Sequence, residues 1–559
     1  MKGKLVKAVL GLSLVALSTT LIACGGNNAP TTTSTTTTST TTTTTTTSPT
    51  TTTTVQPTTT TTVAPTTTPT STTSETKYTV KFDTDGGNAI ADQEVVKDGK
   101  VTKPTDPTNG EYVFDGWYNG DTKYDFNTAV TADVTLKAKW YGAEVDMGGF
   151  IGNDVENKVG FGFKDEYVAE DSNVFNKNLA LFLLGASTIY GTHEAITKFD
   201  TDNNFTNIAN YPTSEADYHK IYYSFSCRDT DGGKIIMAVI RGMDYGDEWE
   251  DNFNLGESGN HKGFDTAANY VLADLETYVN ANKGNKTVKL IVTGFSRAGS
   301  VANALADKLL SKQEKLVPDS NLYVYTFEAP KGIDKTKLEK YNNVFNIVNS
   351  ADMVQILVTD QYGFGRCGID IQIANDNLDT LLAAFNSELE LPEFKASEDN
   401  YASPTEFANF VINKLLTYDY EPEKALNTRE AFNTNYKATI SYIFNKIIYG
   451  TKEETKEAIM ADIKAKVAEN PLSIMSIIST GQSLHDYLKP FLDEDGLEYD
   501  DAELLTICNS VVGLVSGPGM VLLLLAATSE GRNNLIRMID MHYPLICYIL
   551  LKNYTHQAQ

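Results

Sequence analysis

Between residues 287 and 310 the chain reads TVKLIVTGFSRAGSVANALADKLL, a stretch whose residue types could do nucleophilic chemistry. Val288, Leu290, Ile291 and Val292 form a short apolar run, Gly294 follows, and Ala298, Val301, Ala302, Leu305 and Leu309 then share one face of a helical pattern. The pattern predicts a strand, a sharp turn and a helix, with Ser296 at the apex. A serine held in such a strained turn exposes its Oγ at the carboxyl edge of a sheet. The amide of Arg297, at the helix start, then points at an oxyanion forming beside it. Attack by a serine also needs a base for its proton and an acid to orient that base. Asp352 falls just past the apolar run NVFNIVNSADMV (343–354), while Asp360 and Asp370 come later, in a glycine-rich loop. Three histidines follow Asp352. His485 lies in an amphipathic helical pattern, His542 stands just before Pro544, which opens a terminal helix, and His556 is in the frayed last residues.

The elements that must position these groups alternate in type. IYYSFSC (221–227), KIIMAVI (234–240), the run before Ser296, LYVYTFEAP (322–330) and the run ending at Asp352 read as strands. A helix from His261 to about Ala281 and the helix after Ser296 separate them, which implies a largely parallel sheet with its chemistry at one edge. Residues 160–220 read as helical surface with loops. Between Asp352 and His542 the patterns DNLDTLLAAF, TEFANFVINKLL and YKATISYIFNKIIY predict a mostly helical insertion, about residues 375–530, suited to cap or shape a pocket. The apolar stretch from Leu504 to Thr528 is broken by Gly517-Pro518-Gly519, which fits a buried helix pair or a lipid-facing lid element better than a membrane span.

Composition bounds the rest. A chain of 559 residues implies two or three folding units. With 46 Lys and Arg against 72 Asp and Glu, its net charge of −26 disfavours nucleic acid as a partner. Lys2, Lys4 and Lys7 precede an apolar core from Ala8 to Leu17, a secretory signal pattern over residues 1–23. Residues 24–77 are nearly all threonine, serine and proline from Pro30 to Ser74, with nothing to bury, and predict a disordered stalk. Tyr78 to Trp140 read as a compact β-rich unit whose Trp117 and Trp140 supply its core. Cys227, Cys367, Cys508 and Cys547 are widely spaced and read as buried thiols.

Three resemblances join these pieces. Leu21-Ile22-Ala23-Cys24 resembles the lipobox of bacterial lipoproteins, which implies lipidation of Cys24 and attachment to the outer face of the cell membrane. Phe82…Gly86-Gly87, Pro104…Pro107…Gly110, Phe114-Asp115-Gly116-Trp117-Tyr118 and Thr135-Leu136…Trp140 resemble one internalin-type B-repeat over residues 78–141, a β-grasp-like module that implies a cell-wall or host-surface ligand. The turn at Ser296 resembles the nucleophile elbow of α/β-hydrolases, with Ala298 in place of the last glycine of G-x-S-x-G. Its flanks resemble the class 3 lipase family: Arg241-Gly242-Met243 with Trp249-Glu250-Asp251, then His261-Lys262-Gly263-Phe264, then Asn349…Asp352…Val354.

For residues 142–559 that family implies an α/β-hydrolase fold with a large helical insertion and a triad of Ser296, Asp352 and His542. It implies an oxyanion hole from the amides of Arg297 and Met243, Met243 standing where the family has a hydroxyl, and a structural role for His261. No metal or organic cofactor is needed. Together the segments read as an exported, lipid-anchored cell-surface lipase or esterase acting on acylglycerol-type carboxylic esters. Two other readings use the same residues: a surface adhesion protein with an inactive hydrolase domain, and an acyltransferase or peptidase with the same triad.

Overall fold

The computed structural model describes residues 75–555, apart from 151–154, 190–191, 214–220, 242–250, 359, 418–425, 449, 471–472, 517–521, 523 and 526–527. The expected signal, Cys24, the stalk, Met243, His556 and the Gly517-Pro518-Gly519 break therefore lie outside the described residues.

Five strands make a small first sheet: β1 (Lys77–Asp83), β2 (Gln93–Val96), β3 (Val113–Asn119), β4 (Thr122–Lys123) and β5 (Val134–Tyr141), in the order β2-β1-β5-β3-β4. Val80, Trp117, Leu136 and Ala138 are buried at its centre, and Phe82 and Phe114 meet the Trp117 ring edge-on at 4.9 and 5.5 Å. This unit is docked on the rest of the chain. A hairpin of β6 (Ala143–Asp146) and β7 (Lys158–Phe161) continues from it, and the Glu111 carbonyl oxygen accepts the Gly162 N–H at 2.8 Å. The Tyr112 ring fills the space at Gly160, where a Cβ would come within 1.8 Å of it.

The large sheet contains β8 (Thr206–Tyr211), β9 (Tyr222–Thr230), β10 (Gly233–Arg241), β11 (Val288–Phe295), β12 (Leu322–Phe327), β14 (Val344–Asn349) and β16 (Ile369–Ile373), while β13 (Ile333–Asp334) pairs apart with β15 (Phe364–Gly365). Its order is β16-β14-β12-β11-β10-β9-β8, with β10 through β16 parallel and β9 and β8 added antiparallel. Because successive side chains point to opposite faces, β10 feeds two cores. Ile235, Met237 and Val239 join one with helices α1 (Lys177–Ser187) and the terminal helix Pro544–Asn553, while Ile236, Ala238 and Ile240 join another with α3 (Lys262–Asn282) and α4 (Arg297–Ser311). Burial on both faces explains strands that are apolar throughout rather than alternating. A further helix, α2 (His193–Asp202), precedes β8.

Two local expectations are corrected. The stretch 160–220 is not helical surface: every residue from Leu179 to Ser187 of α1 is buried, because the helix plugs one face of the sheet. Asp370 is not in a loop but on β16, paired beside Asn346 of β14. The insertion is helical, and its helices form two groups. One, around Pro404–Leu416 and Ser529–Asp540, packs with Leu255, Met353 and Phe364 near the sheet edge. The other, around Gly481–Asp495 and Asp501–Ser516, has its own apolar centre. Among the described residues no helix is long and apolar enough to cross a membrane. Cys227, Cys367, Cys508 and Cys547 are buried free thiols.

Candidate active site

β11 ends at Phe295 and α4 begins at Arg297, which leaves Ser296 alone to make the turn. Its backbone stands at φ 56 and ψ −128, a conformation costly for a residue with a Cβ. Surrounding contacts hold it there. The Ser296 N–H donates to the Phe327 carbonyl oxygen at 2.8 Å, and the Ser296 carbonyl oxygen accepts the Ser300 N–H at 3.1 Å. The turn is tight enough that a Cβ on Gly294 would stand 2.4 Å from the Ala298 carbonyl oxygen. Position 298, by contrast, tolerates its methyl, which packs into the apolar layer with Val301 and Ala302. The elbow therefore forms without a glycine there.

Ser296 keeps 9% of its surface exposed. Its Oγ lies 2.8 Å from His542 Nε2, and His542 Nδ1 lies 2.7 Å from Asp352 Oδ2. With its proton on Nδ1 the ring donates to the carboxylate and can accept the Ser296 hydroxyl at Nε2. Asp352 is fully buried just beyond β14, and its Oδ1 accepts the Val354 N–H at 2.8 Å. His542 sits in the turn before the terminal helix, which we label α5 (Pro544–Asn553), with Pro544 opening the helix and Phe295 5.3 Å away, ring to ring. As the first residue of α4, Arg297 has an N–H with no acceptor inside the helix.

The other candidates lie elsewhere. Asp360 pairs with Lys331, and Asp370 makes a two-pronged pair with Arg366. His485 is buried in the second helical group, between Asp486 at 3.2 Å and Asp501 at 3.4 Å. His261 caps α3: its Nδ1 accepts the Phe264 N–H, its ring stacks on Phe264 at 3.8 Å, and burial pushes its pKa down to about 3, so it stays neutral. Among the described residues no group of three His, Cys, Asp or Glu is arranged to hold a metal ion.

Three residues to which sequence reasoning gave no role support this centre. Asn349, fully buried at the end of β14, donates from Nδ2 to the Met541 carbonyl oxygen at 3.2 Å, tying the Asp352 turn to the His542 turn. Gln355 reaches Asp352 Oδ2 at 3.3 Å and the Asn349 carbonyl oxygen at 2.8 Å. Glu328, just after β12, is fully buried beside them. Its signal was present as a lone acid in the apolar stretch LYVYTFEAP, and Asn349's was its place three residues before Asp352.

Residues 213–362 match the family model described as Lipase (class 3), and residues 78–139 match the Listeria-Bacteroides repeat domain. The first match contains Ser296 and Asp352 but ends long before His542. A protein of Evansella cellulosilytica named as a Gly-rich membrane protein is 35% identical over 68 residues, 11% of this chain and 8% of its own length. A second membrane protein of that organism is 34% identical over 67 residues, 11% of this chain and 10% of its own. The chain thus spans a tenth or less of these curated relatives. Among solved structures, the triacylglyceride lipase of Rhizomucor miehei is 22% identical, covering 32% of this chain and 69% of that one with a TM-score of 0.24. Lipase II from Rhizopus niveus is 20% identical, covering 32% and 69% with a TM-score of 0.25, and M37 lipase is 12% identical, covering 54% and 98% with a TM-score of 0.25.

Proposed function

We propose that the unit following the repeat is a serine hydrolase of carboxylic esters, a lipase or esterase that works through an acyl-enzyme. His542 takes the Ser296 proton as Oγ attacks the ester carbonyl carbon, and Asp352 orients and stabilises the imidazolium. The Arg297 amide holds the oxyanion, together with that of Met243, to which the class 3 lipase resemblance gives the same role. His542 returns its proton to the leaving alkoxide, and water then attacks the acyl-enzyme by the same route in reverse. The observation that carries this reading is the unbroken relay of 2.8 and 2.7 Å from Ser296 Oγ through His542 to Asp352, beneath a strained elbow. The class 3 lipase match over residues 213–362 supports lipid or other ester substrates rather than amides.

The repeat match and the membrane-protein relatives support a place at the cell surface. With the N-terminal pattern around Cys24, we read the protein as lipid-anchored outside the cell, lifted on its threonine-rich stalk. The test is hydrolysis of a p-nitrophenyl ester series from acetate to palmitate by the full chain and by Ser296→Ala. Turnover by the intact protein alone is expected, and its chain-length optimum separates esterase from lipase. Equal, negligible rates would leave a surface binding protein with an inactive hydrolase domain.

A further inference from the structure

Glu328 has no part in the relay, yet the fold goes to some trouble to hold it. Its backbone stands at φ 47, in the left-handed region that side chains with a Cβ rarely adopt, and the residue is fully buried. A strained backbone and a buried carboxyl each cost stability. The carboxyl is nonetheless seated in specific bonds. Oε2 accepts the Asn349 N–H at 3.1 Å and the side-chain amide of Gln355, the same amide that reaches Asp352 Oδ2 at 3.3 Å. Oε1 has no hydrogen-bond partner, and the one Gln355 amide bridges the two carboxyls, contacting an oxygen of Glu328 and one of Asp352. From α5, Cys547 faces the same carboxyl.

Burial first, then the nearness of Asp352, pushes the Glu328 carboxyl well above the usual carboxylate range, and burial likewise pushes the Cys547 thiol up. Two buried carboxyls held against one amide favour sharing a proton over both ionising. A proton on Oε1 also removes the orphan, because a protonated acid donates where an ionised one only accepts.

Taking Ser296, His542 and Asp352 as the working relay, we propose that Glu328 is a positioning residue of the reaction, its acid group donating from Oε1 to the Asp352 carboxylate. The bond fixes the carboxylate that orients His542 and moderates its charge. No bond to substrate is made, and the proton stays between the two acids throughout turnover.

The groups that titrate around this carboxyl are Asp352, on the turn after β14, and Cys547, on α5; around His542 the nearest is Asp352. Glutamine at 328 keeps one donor and one acceptor in nearly the same shape. Methionine fills the space with neither, and glycine removes both side chain and strain. The test is kcat and KM across pH 5 to 9 with p-nitrophenyl butyrate for the full chain, Glu328→Gln, Glu328→Met and Glu328→Gly, with Ser296→Ala as the zero line.

Glu328→Gln should stay within about threefold of the parent with the same acid limb, whereas Met and Gly should lower kcat about tenfold with little change in KM. Their acid limb should move up by about half a pH unit or more, since an unmoderated Asp352 holds the imidazolium more strongly. If the methionine variant does not fold, the glycine and glutamine variants decide. Parent-like rates with Met or Gly, a slowed kcat with an unmoved acid limb, or a glutamine variant as impaired as the methionine one would each overturn the proposal. A full chain no faster than Ser296→Ala would remove the relay and this proposal together; an active chain indifferent to position 328 would remove only this one.

Discussion

Ser296 and Glu328 occupy the same point on neighbouring strands. Phe295 and Phe327 pair in register across β11 and β12, and the next residue of each strand turns to positive φ, 56 at Ser296 and 47 at Glu328. Each still donates its N–H to the adjoining strand, Ser296 to the Phe327 carbonyl oxygen at 2.8 Å and Glu328 to that of Ile347 at 3.0 Å. Beyond these two residues the strands part ways. After Ser296 a helix begins at once, and the side chain, nearly buried, meets His542 Nε2; after Glu328 the chain runs on through Ala329 and Pro330, and the side chain is sealed in beside Asp352. One strained turn thus presents a serine hydroxyl to His542, and its neighbour buries an acid beside Asp352. A parallel sheet edge can deliver such groups side by side because its strands all end there.

The comparison can be broken from either side. Ser296→Ala should have the largest effect, lowering kcat/KM by ~10^3-fold or more while leaving the melting temperature near the parent's, because the Cβ and the turn remain. Asp352→Asn keeps the shape but favours the wrong histidine tautomer, and a loss of ~10^2- to 10^4-fold in kcat is expected from steady-state kinetics. Gly294→Ala acts on the turn instead. With the Ala298 carbonyl oxygen 2.4 Å from the added Cβ, urea unfolding should show a destabilisation of about 1 to 3 kcal/mol. The smallest effect belongs to the docked repeat. Lys552 Nζ lies 3.0 Å from Glu111, whose side chain also accepts from Tyr548 on α5, so Glu111→Ala should cost about 1 kcal/mol or less and leave kcat unchanged.

The serine side of the comparison was legible in the sequence because local signals agree there: an apolar run, glycine before the turn, and a helical face after it. Asp352 and His542 were harder. Each stands at an element end that the sequence marks, β14 and the Pro544 helix start, but only the folded chain brings them within 2.7 Å across the whole insertion. The acid side was not legible. The lone acid in LYVYTFEAP stands out, but nothing there says that Glu328 turns inward, since its partners Asn349, Gln355 and Cys547 come from β14, the short helix Val354–Leu357 and α5. Burial of α1 was missed for a related reason. Its apolar residues surround the helix instead of striping it, and such a helix is explained only by the sheet it covers.

The most direct measurement is labelling with a fluorophosphonate, which reacts with a serine only when a neighbouring base activates it. The full chain, Ser296→Ala and His542→Ala would be treated in parallel and digested for mass spectrometry. One adduct is expected, on the peptide carrying Ser296, absent from both variants. An unlabelled parent, or undiminished labelling of His542→Ala, would contradict the claim that His542 activates Ser296.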